Sequence, residues 1–291
     1  MAENFRKNKF WYEIKIQCRP DEQDILCYWL TEFGSEGTDI RENCIITYFD
    51  SRNWDDNLRN DLCKKITELY ENKHLSDTYD IEVTKISDEN WAENWKEHFK
   101  RIQTGQKLVI VPPWEKDFND KSRINIVIEP GMAFGTGNHP STELALVLLE
   151  RYTEPGSKVF DFGSGTGILS ITAIKLGAAG AEGTDIDNEA IIASEYNSKK
   201  NNVDKYTHFS DIDISNYQSG YYDIVAANIN RRTIIEHSKG LTRLLKQNGK
   251  LILSGIEVTD TVHIIEEFST MDFVVVEQIT KSEWTAIVLT K

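Results

Sequence analysis

Several common chemistries need residues that this 291-residue sequence scarcely has. Its four cysteines, Cys18, Cys27, Cys44 and Cys63, contain no C-x-x-C pair, and its six histidines fall at no metal-ligand spacing. Zinc and iron–sulfur frameworks are thereby excluded, and the thiols read as buried and reduced. Basic residues are in deficit, since 33 Lys and Arg against 47 Asp and Glu give 33 − 47 = −14. So acidic a chain is unsuited to broad contact with nucleic-acid phosphates, and the charge favours a basic partner. No run approaches the roughly 18 apolar residues of a membrane span. The opening MAENFRKNKFWYEIK lacks the apolar centre of a signal peptide, so a cytoplasmic protein is expected. The length exceeds that of one average domain and implies two.

What is present centres on Lys158–Asp187, KVFDFGSGTGILSITAIKLGAAGAEGTDID. An apolar run ends at Asp161, three glycines follow at Gly163, Gly165 and Gly167, and a helical pattern (Ile168, Leu169, Ile171, Ile174, Leu176) closes at Gly177. That is strand, tight turn and helix. A second apolar-small segment ends at Asp185, 185 − 163 = 22 residues on, the separation a nucleoside-binding βαβ unit needs between its glycine loop and the next strand's acid. The spacing is G-x-G-x-G and not the G-x-G-x-x-G of dinucleotide sites, and a carboxylate at Asp161 would repel a pyrophosphate and suit a cationic ligand. The competing reading of the triplet is a turn that only lets strand and helix pack closely.

Upstream, Phe10–Cys18 alternates as a strand, and helices over about Asp21–Phe33 and Trp54–Tyr70 are interleaved with strands near Gly37–Arg41, Cys44–Phe49 and Tyr79–Ile86. The order βαββαβ implies a ferredoxin-like α+β domain over residues 1–86, a fold that says little about function. Residues 87–123 read as a linker that opens with a helix over Asp88–Lys100, whose Trp91, Trp95 and Phe99 stripe fits core packing, and that carries a strand at Lys107–Val111. From Ile124 to Lys291 a strand leads into the glycine-rich GMAFGTGNHPSTELALVLLE, with a helix starting at Ser141 or Thr142. The loop Gly131–Pro140, with Phe134 among its glycines, is expected to fold over a ligand; the alternative is a plain connector. Helices over Glu189–Lys199, Thr233–Leu245 and Val258–Ser269 alternate with strands at Tyr206–Phe209, Tyr221–Ile229 and Lys250–Ile256. Phe273–Ile279 and Trp284–Thr290, separated by a short turn, form an antiparallel pair at the sheet edge. The fold expected is α/β, a seven-stranded Rossmann-like domain with one reversed strand.

The D-x-G-x-G-x-G pattern resembles the first motif of class I S-adenosylmethionine-dependent methyltransferases. Together with EPGMAFGTGNHPST (129–142), DIVAANI (223–229) and WAENWKEHF, it makes the chain similar over nearly its whole length to the bacterial ribosomal protein L11 methyltransferases. The resemblance implies S-adenosylmethionine as cofactor, with Thr142, Gly163, Asp185 and Asn228 at the positions that bind it. It also implies a large-subunit ribosomal protein as substrate and partner, methylated on lysine ε-amines and its α-amine. Asn228 would be the catalytic residue, orienting the amine through its side-chain or backbone carbonyl, and Asp211 is a weaker candidate for the adenine amino group. Two departures from the family's pattern are Asn138 and Ser141 in place of Thr, and Asn230-Arg231 after A-N-I, on the acceptor side of the pocket. Methyltransferases of glutamine or nucleic acid carry Asn-Pro-Pro-aromatic where this chain has Asn228-Ile229-Asn230-Arg231. A further alternative is a non-enzymatic nucleotide-binding regulatory module.

Overall fold

The computed structural model describes residues 10–35, 37–41, 43–71, 81–87, 100–115, 122–129 and 135–291. The chain divides into two units, Met1–His98 and Phe99–Lys291.

In the first unit, β1 (Phe10–Gln17), α1 (Gln23–Glu32), β2 (Thr38–Arg41), β3 (Cys44–Asp50), α2 (Asp56–Glu71) and β4 (Ile81–Ser87) follow the expected βαββαβ order. The sheet runs β2-β3-β1-β4 with every pair antiparallel, the ferredoxin-like arrangement. Alternation along β1 sends Ile14 and Ile16 to one face, where Leu26 and Leu30 of α1 and Leu62 and Ile66 of α2 bury them. The stripe of Trp91, Trp95 and Phe99 lies outside the described residues.

The second unit opens with a three-stranded sheet of β5 (Ile102–Thr104), β6 (Leu108–Val111) and β7 (Ile124–Val127), so two strands fall within the stretch read as linker. The main elements then follow: α3 (Pro140–Tyr152), β8 (Lys158–Phe162), α4 (Ile168–Lys175), β9 (Gly180–Thr184), α5 (Asn188–Lys200), β10 (Thr207–Ser210) and β11 (Tyr222–Asn228). They continue as α6 (Arg231–Glu236), α7 (Ser238–Leu244), β12 (Leu245–Glu257), α8 (Thr261–Ser269), β13 (Val274–Lys281) and β14 (Trp284–Thr290). The seven-stranded sheet is ordered β10-β9-β8-β11-β12-β14-β13, and β14 runs antiparallel to both its neighbours.

The inner strands β8, β11, β12 and β14 are largely buried on both faces and read as near-continuous apolar runs, whereas Val274, Val275 and Val276 of the edge strand β13 are exposed. Val159, Ile224, Ala226, Ile252 and Val288 enter one core with α3 and α4. Their alternates Phe160, Val225, Ala227, Leu253 and Ile287 enter the other, beneath α6, α7 and α8. The helix expected over Thr233–Leu245 is split at His237, whose φ of −105° and ψ of 8° end α6 before α7 begins. Among the described residues no helix is long and apolar enough to cross a membrane.

Candidate active site

Strand order reverses between β8 and β11, and in such sheets the crevice beyond the carboxyl ends at the reversal is where ligands bind. The glycine loop leaves β8 at this point. Gly163 has φ +79°, and a Cβ there would stand 2.6 Å from Ile229 Cγ2, so no other residue lets the loop pass this close to the end of β11. The Gly163 and Ser164 amides donate to the Thr184 carbonyl at 2.8 and 3.1 Å, which seats the loop against the tip of β9. One residue on, Asp185 Oδ2 accepts from the Gly165 amide at 2.9 Å and Oδ1 from the Asp187 amide at 3.1 Å. Both oxygens are thus oriented by main chain, and each keeps a lone pair for a hydroxyl donor.

Asp161, at the end of β8, keeps Oδ1 buried and without a partner among the described residues. It is 0 % exposed, and its Oδ2 accepts from the Ser170 amide (3.1 Å) and hydroxyl (2.8 Å) in α4. It braces the loop from beneath. Burial pushes its carboxyl up to about 7, against the Ser170 hydrogen bonds that hold it down.

Across the crevice, Asn228 at the end of β11 donates from Nδ2 to Thr142 Oγ1 at 3.1 Å, joining β11 to the first turn of α3. Thr142 is wholly buried and Asn228 is 8 % exposed. Asn228 Oδ1 is buried and has no partner among the described residues. A buried amide oxygen with nothing to accept is costly, and a ligand's N–H would relieve it. The four predicted site residues therefore form one chain of contacts, from Asp185 through the glycine loop to Ile229, Asn228 and Thr142.

Residues 10–291 match the family model described as Ribosomal protein L11 methyltransferase (PrmA). The chain belongs to that family. It is 31% identical over 299 residues to the ribosomal protein L11 methyltransferase of Dictyoglomus thermophilum, covering 96% of this chain and 98% of that one. Against the protein of the same name from Dictyoglomus turgidum it is 36% identical over 276 residues, covering 94% and 89%. Among solved structures, the ribosomal protein L11 methylase from Lactobacillus delbrueckii subsp. bulgaricus is 30% identical with a TM-score of 0.62, covering 66% of this chain and 99% of that one.

This methyltransferase is S-adenosylmethionine-dependent, and its residues fit that cofactor. Gly163 supplies a cradle that a side chain would fill, Asp185 two oriented acceptors for ribose hydroxyls, and Asn228 Oδ1 an unsatisfied acceptor. Sequence reasoning passed over Ile186, fully exposed directly after Asp185, and Ile212, 44 % exposed beyond the tip of β10. Two exposed apolar side chains on neighbouring strand tips offer flat contact to a base. Asp211 is exposed beside them. The available signal was an isoleucine between two acids, in G-T-D-I-D, where a loop has no packing need for one.

The start of α3 also differs from expectation. His139, not Ser141 or Thr142, is the N-cap: its Nδ1 accepts from the Ser141 amide at 3.3 Å, with Pro140 in the first turn. Its ring meets Trp284 edge-on at 4.6 Å, and burial lowers its pKa, which favours the neutral imidazole that capping requires. Of the loop Gly131–Pro140, Gly131 and Phe134 lie outside the described residues. The departure at Asn230-Arg231 has a local cause. Asn230 Oδ1 caps α6 by accepting from the Thr233 amide (2.9 Å) and hydroxyl (3.0 Å), and Arg231 pairs with Asp260 at 2.7 Å.

Proposed function

We propose that this methyltransferase transfers methyl groups from S-adenosylmethionine to amines of ribosomal protein L11, namely lysine ε-amines and the amino-terminal α-amine. Thr142, Gly163, Asp185 and Asn228 hold the cofactor, and Asn228 also orients the acceptor. The observation that carries this is the buried Asn228 Oδ1, without a partner among the described residues and fixed in direction by the bond from Nδ2 to Thr142. An acceptor-only oxygen selects a group with N–H to give, and a neutral amine that donates one N–H there turns its lone pair elsewhere.

Bound S-adenosylmethionine supplies an electrophilic sulfonium methyl. The protein's part is alignment and removal of water, because a hydrated or protonated amine does not attack. Burial of Asn228 and Thr142 supports the second task and their mutual hydrogen bond the first. A lysine ε-amine is mostly protonated near neutral pH, so it releases a proton to water before attack, and the ammonium formed by each transfer releases another before the next. The reading assigns substrate recognition to residues 1–86 and the chemistry to 124–291. A net charge of 33 − 47 = −14 suits a basic ribosomal protein, and such a substrate implies work in the cytoplasm.

The test is transfer of labelled methyl from S-adenosylmethionine to purified L11, with Asn228→Ala alongside. Label should enter L11, and the variant should lose about a hundredfold in turnover. Label that enters other ribosomal components while L11 stays unlabelled rejects the assignment.

A further inference from the structure

Helix α5 turns a polar stripe inward. Ser194, Asn197, Ser198 and Asn201 are at most 3 % exposed, where a helix packed on a sheet ordinarily presents apolar residues. Buried amides are tolerated only when bonded, and the two asparagines are bonded in register with one strand. Asn201 Oδ1 accepts from the Val127 amide at 2.9 Å while its Nδ2 donates to the Val127 carbonyl at 2.6 Å. One turn earlier, Asn197 Oδ1 accepts from the Glu129 amide at 2.9 Å. Val127 and Glu129 stand two apart, so their main-chain groups point to the same side and the asparagine side chains act as the missing neighbour of β7.

Asn197 has a second bond that reaches the cofactor loop: its Nδ2 donates to the Thr166 carbonyl at 3.0 Å. The Thr166 hydroxyl in turn donates to the Gly135 carbonyl at 2.6 Å. Gly135 has φ +98° and lies so close that a Cβ on it would stand 3.1 Å from that hydroxyl. Thr166 is therefore tied on one side to Glu129, through Asn197, and on the other directly to Gly135. These are the described residues flanking 130–134. Gly135 then leads through the His139 cap into α3, where Thr142 holds Asn228.

We infer that Asn197 and Thr166 are positioning residues for methyl transfer, fixing the glycine loop that carries the cofactor relative to the α3 start that carries the acceptor site. Neither side chain touches the reacting atoms. Their bonds join the two halves of the active site by a route independent of the sheet. The inference rests on the methyl-transfer reading given above. Loosening either bond leaves the loop's own contacts to Thr184 and Asp185 in place, so cofactor affinity is retained while alignment is lost.

The experiment compares Thr166→Val, which keeps shape and removes the hydroxyl, with Thr166→Ser, which keeps the hydroxyl. Full-length enzyme is assayed for turnover of L11 and for S-adenosylmethionine affinity by calorimetry. Thr166→Val should lower kcat by about ten- to a hundredfold with cofactor Kd changed less than about threefold, and Thr166→Ser should restore kcat to near wild type. Should Thr166→Val fail to fold, Asn197→Asp carries the same expectation, because it keeps the acceptor for Glu129 and removes the donor to Thr166. Unchanged kcat, or kcat and affinity falling by the same factor, overturns the inference. Wild-type enzyme in the same assay distinguishes the cases: if it leaves L11 unmethylated, the functional reading has failed and not this one.

Discussion

Asp161→Asn should flatten the pH dependence of stability in the second unit. The wild-type carboxyl is 0 % exposed, with one oxygen bonded to Ser170 and the other lacking a partner among the described residues. Desolvation dominates, and the folded-state value rises from 3.8 to about 7. Because the folded value lies above the unfolded one, the folded protein keeps a proton that the unfolded chain has released. The stabilisation is therefore fully present below about pH 4 and is lost as pH rises through about 7. The interval spans 7 − 3.8 = 3.2 pH units, a ceiling of about 4 kcal/mol at about 1.36 kcal/mol per unit. Between pH 5 and pH 7 the loss is about 2.3 kcal/mol, the carboxyl being half ionised at the upper end. Asparagine keeps an oxygen for both Ser170 donors and cannot ionise. Urea titrations followed by circular dichroism, without cofactor, should show the variant gaining on wild type by about 2–3 kcal/mol from pH 5 to pH 7. A gap that stays constant over that range would mean that Asp161 is ionised throughout, and the desolvation argument would be refuted.

Asp185→Ala removes the acceptor that the Gly165 amide orients and should weaken S-adenosylmethionine binding by about 1–3 kcal/mol; calorimetry in which NAD binds the wild-type enzyme as well as S-adenosylmethionine does would sink the ligand assignment. A truncated chain comprising residues 99–291 retains both cores of the seven-stranded sheet and should bind S-adenosylmethionine nearly as well as the full chain while failing to methylate L11. Methylation at the wild-type rate would count decisively against substrate recognition by the first unit.

The parts of the fold that were legible in the sequence are those where punctuation and period agree. Glycines bound α4 on both sides, and apolar runs of strand length flank it, so the βαβ unit around Gly163 and Asp185 could be placed almost to the residue. The pairing of Phe273–Ile279 with Trp284–Thr290 followed from a turn too short for a crossover, and β13 and β14 are antiparallel. Short elements were harder to place. β5 has three residues, too few for alternation to show, whereas the four-residue β6 was placed by its unbroken apolar run. The split between α6 and α7 falls at His237, and the nearest glycine, Gly240, lies inside α7 and does not mark the break.

At the site, Thr142 and Asn228 could be named from the motif, but not their mutual hydrogen bond, which depends on α3 lying across β11. The inward asparagines of α5 were the least visible of all. Asn, Ser and Lys on a helix read as a solvated face, and only the exposed main chain of β7 makes that face an interior one. His139 was hidden for a related reason: Ser141 is the more usual cap, and the cap lies two residues before it, ahead of Pro140.

The reversed strand gives the order of synthesis a particular weight. β14 is last of the seven in sequence yet lies inside the sheet, between β12 and β13, with Ala286, Ile287, Val288 and Leu289 wholly buried. While a nascent chain still lacks residues 284–290, β12 has a bare edge and β13 has no neighbour to join. Since strands emerge in sequence order, the two longest strands of the sheet, β12 and β13, wait unpaired on that side until residues 284–290 are available. An intermediate in which residues 284–290 are not yet docked therefore presents a bare β12 edge that is open to pairing with another strand.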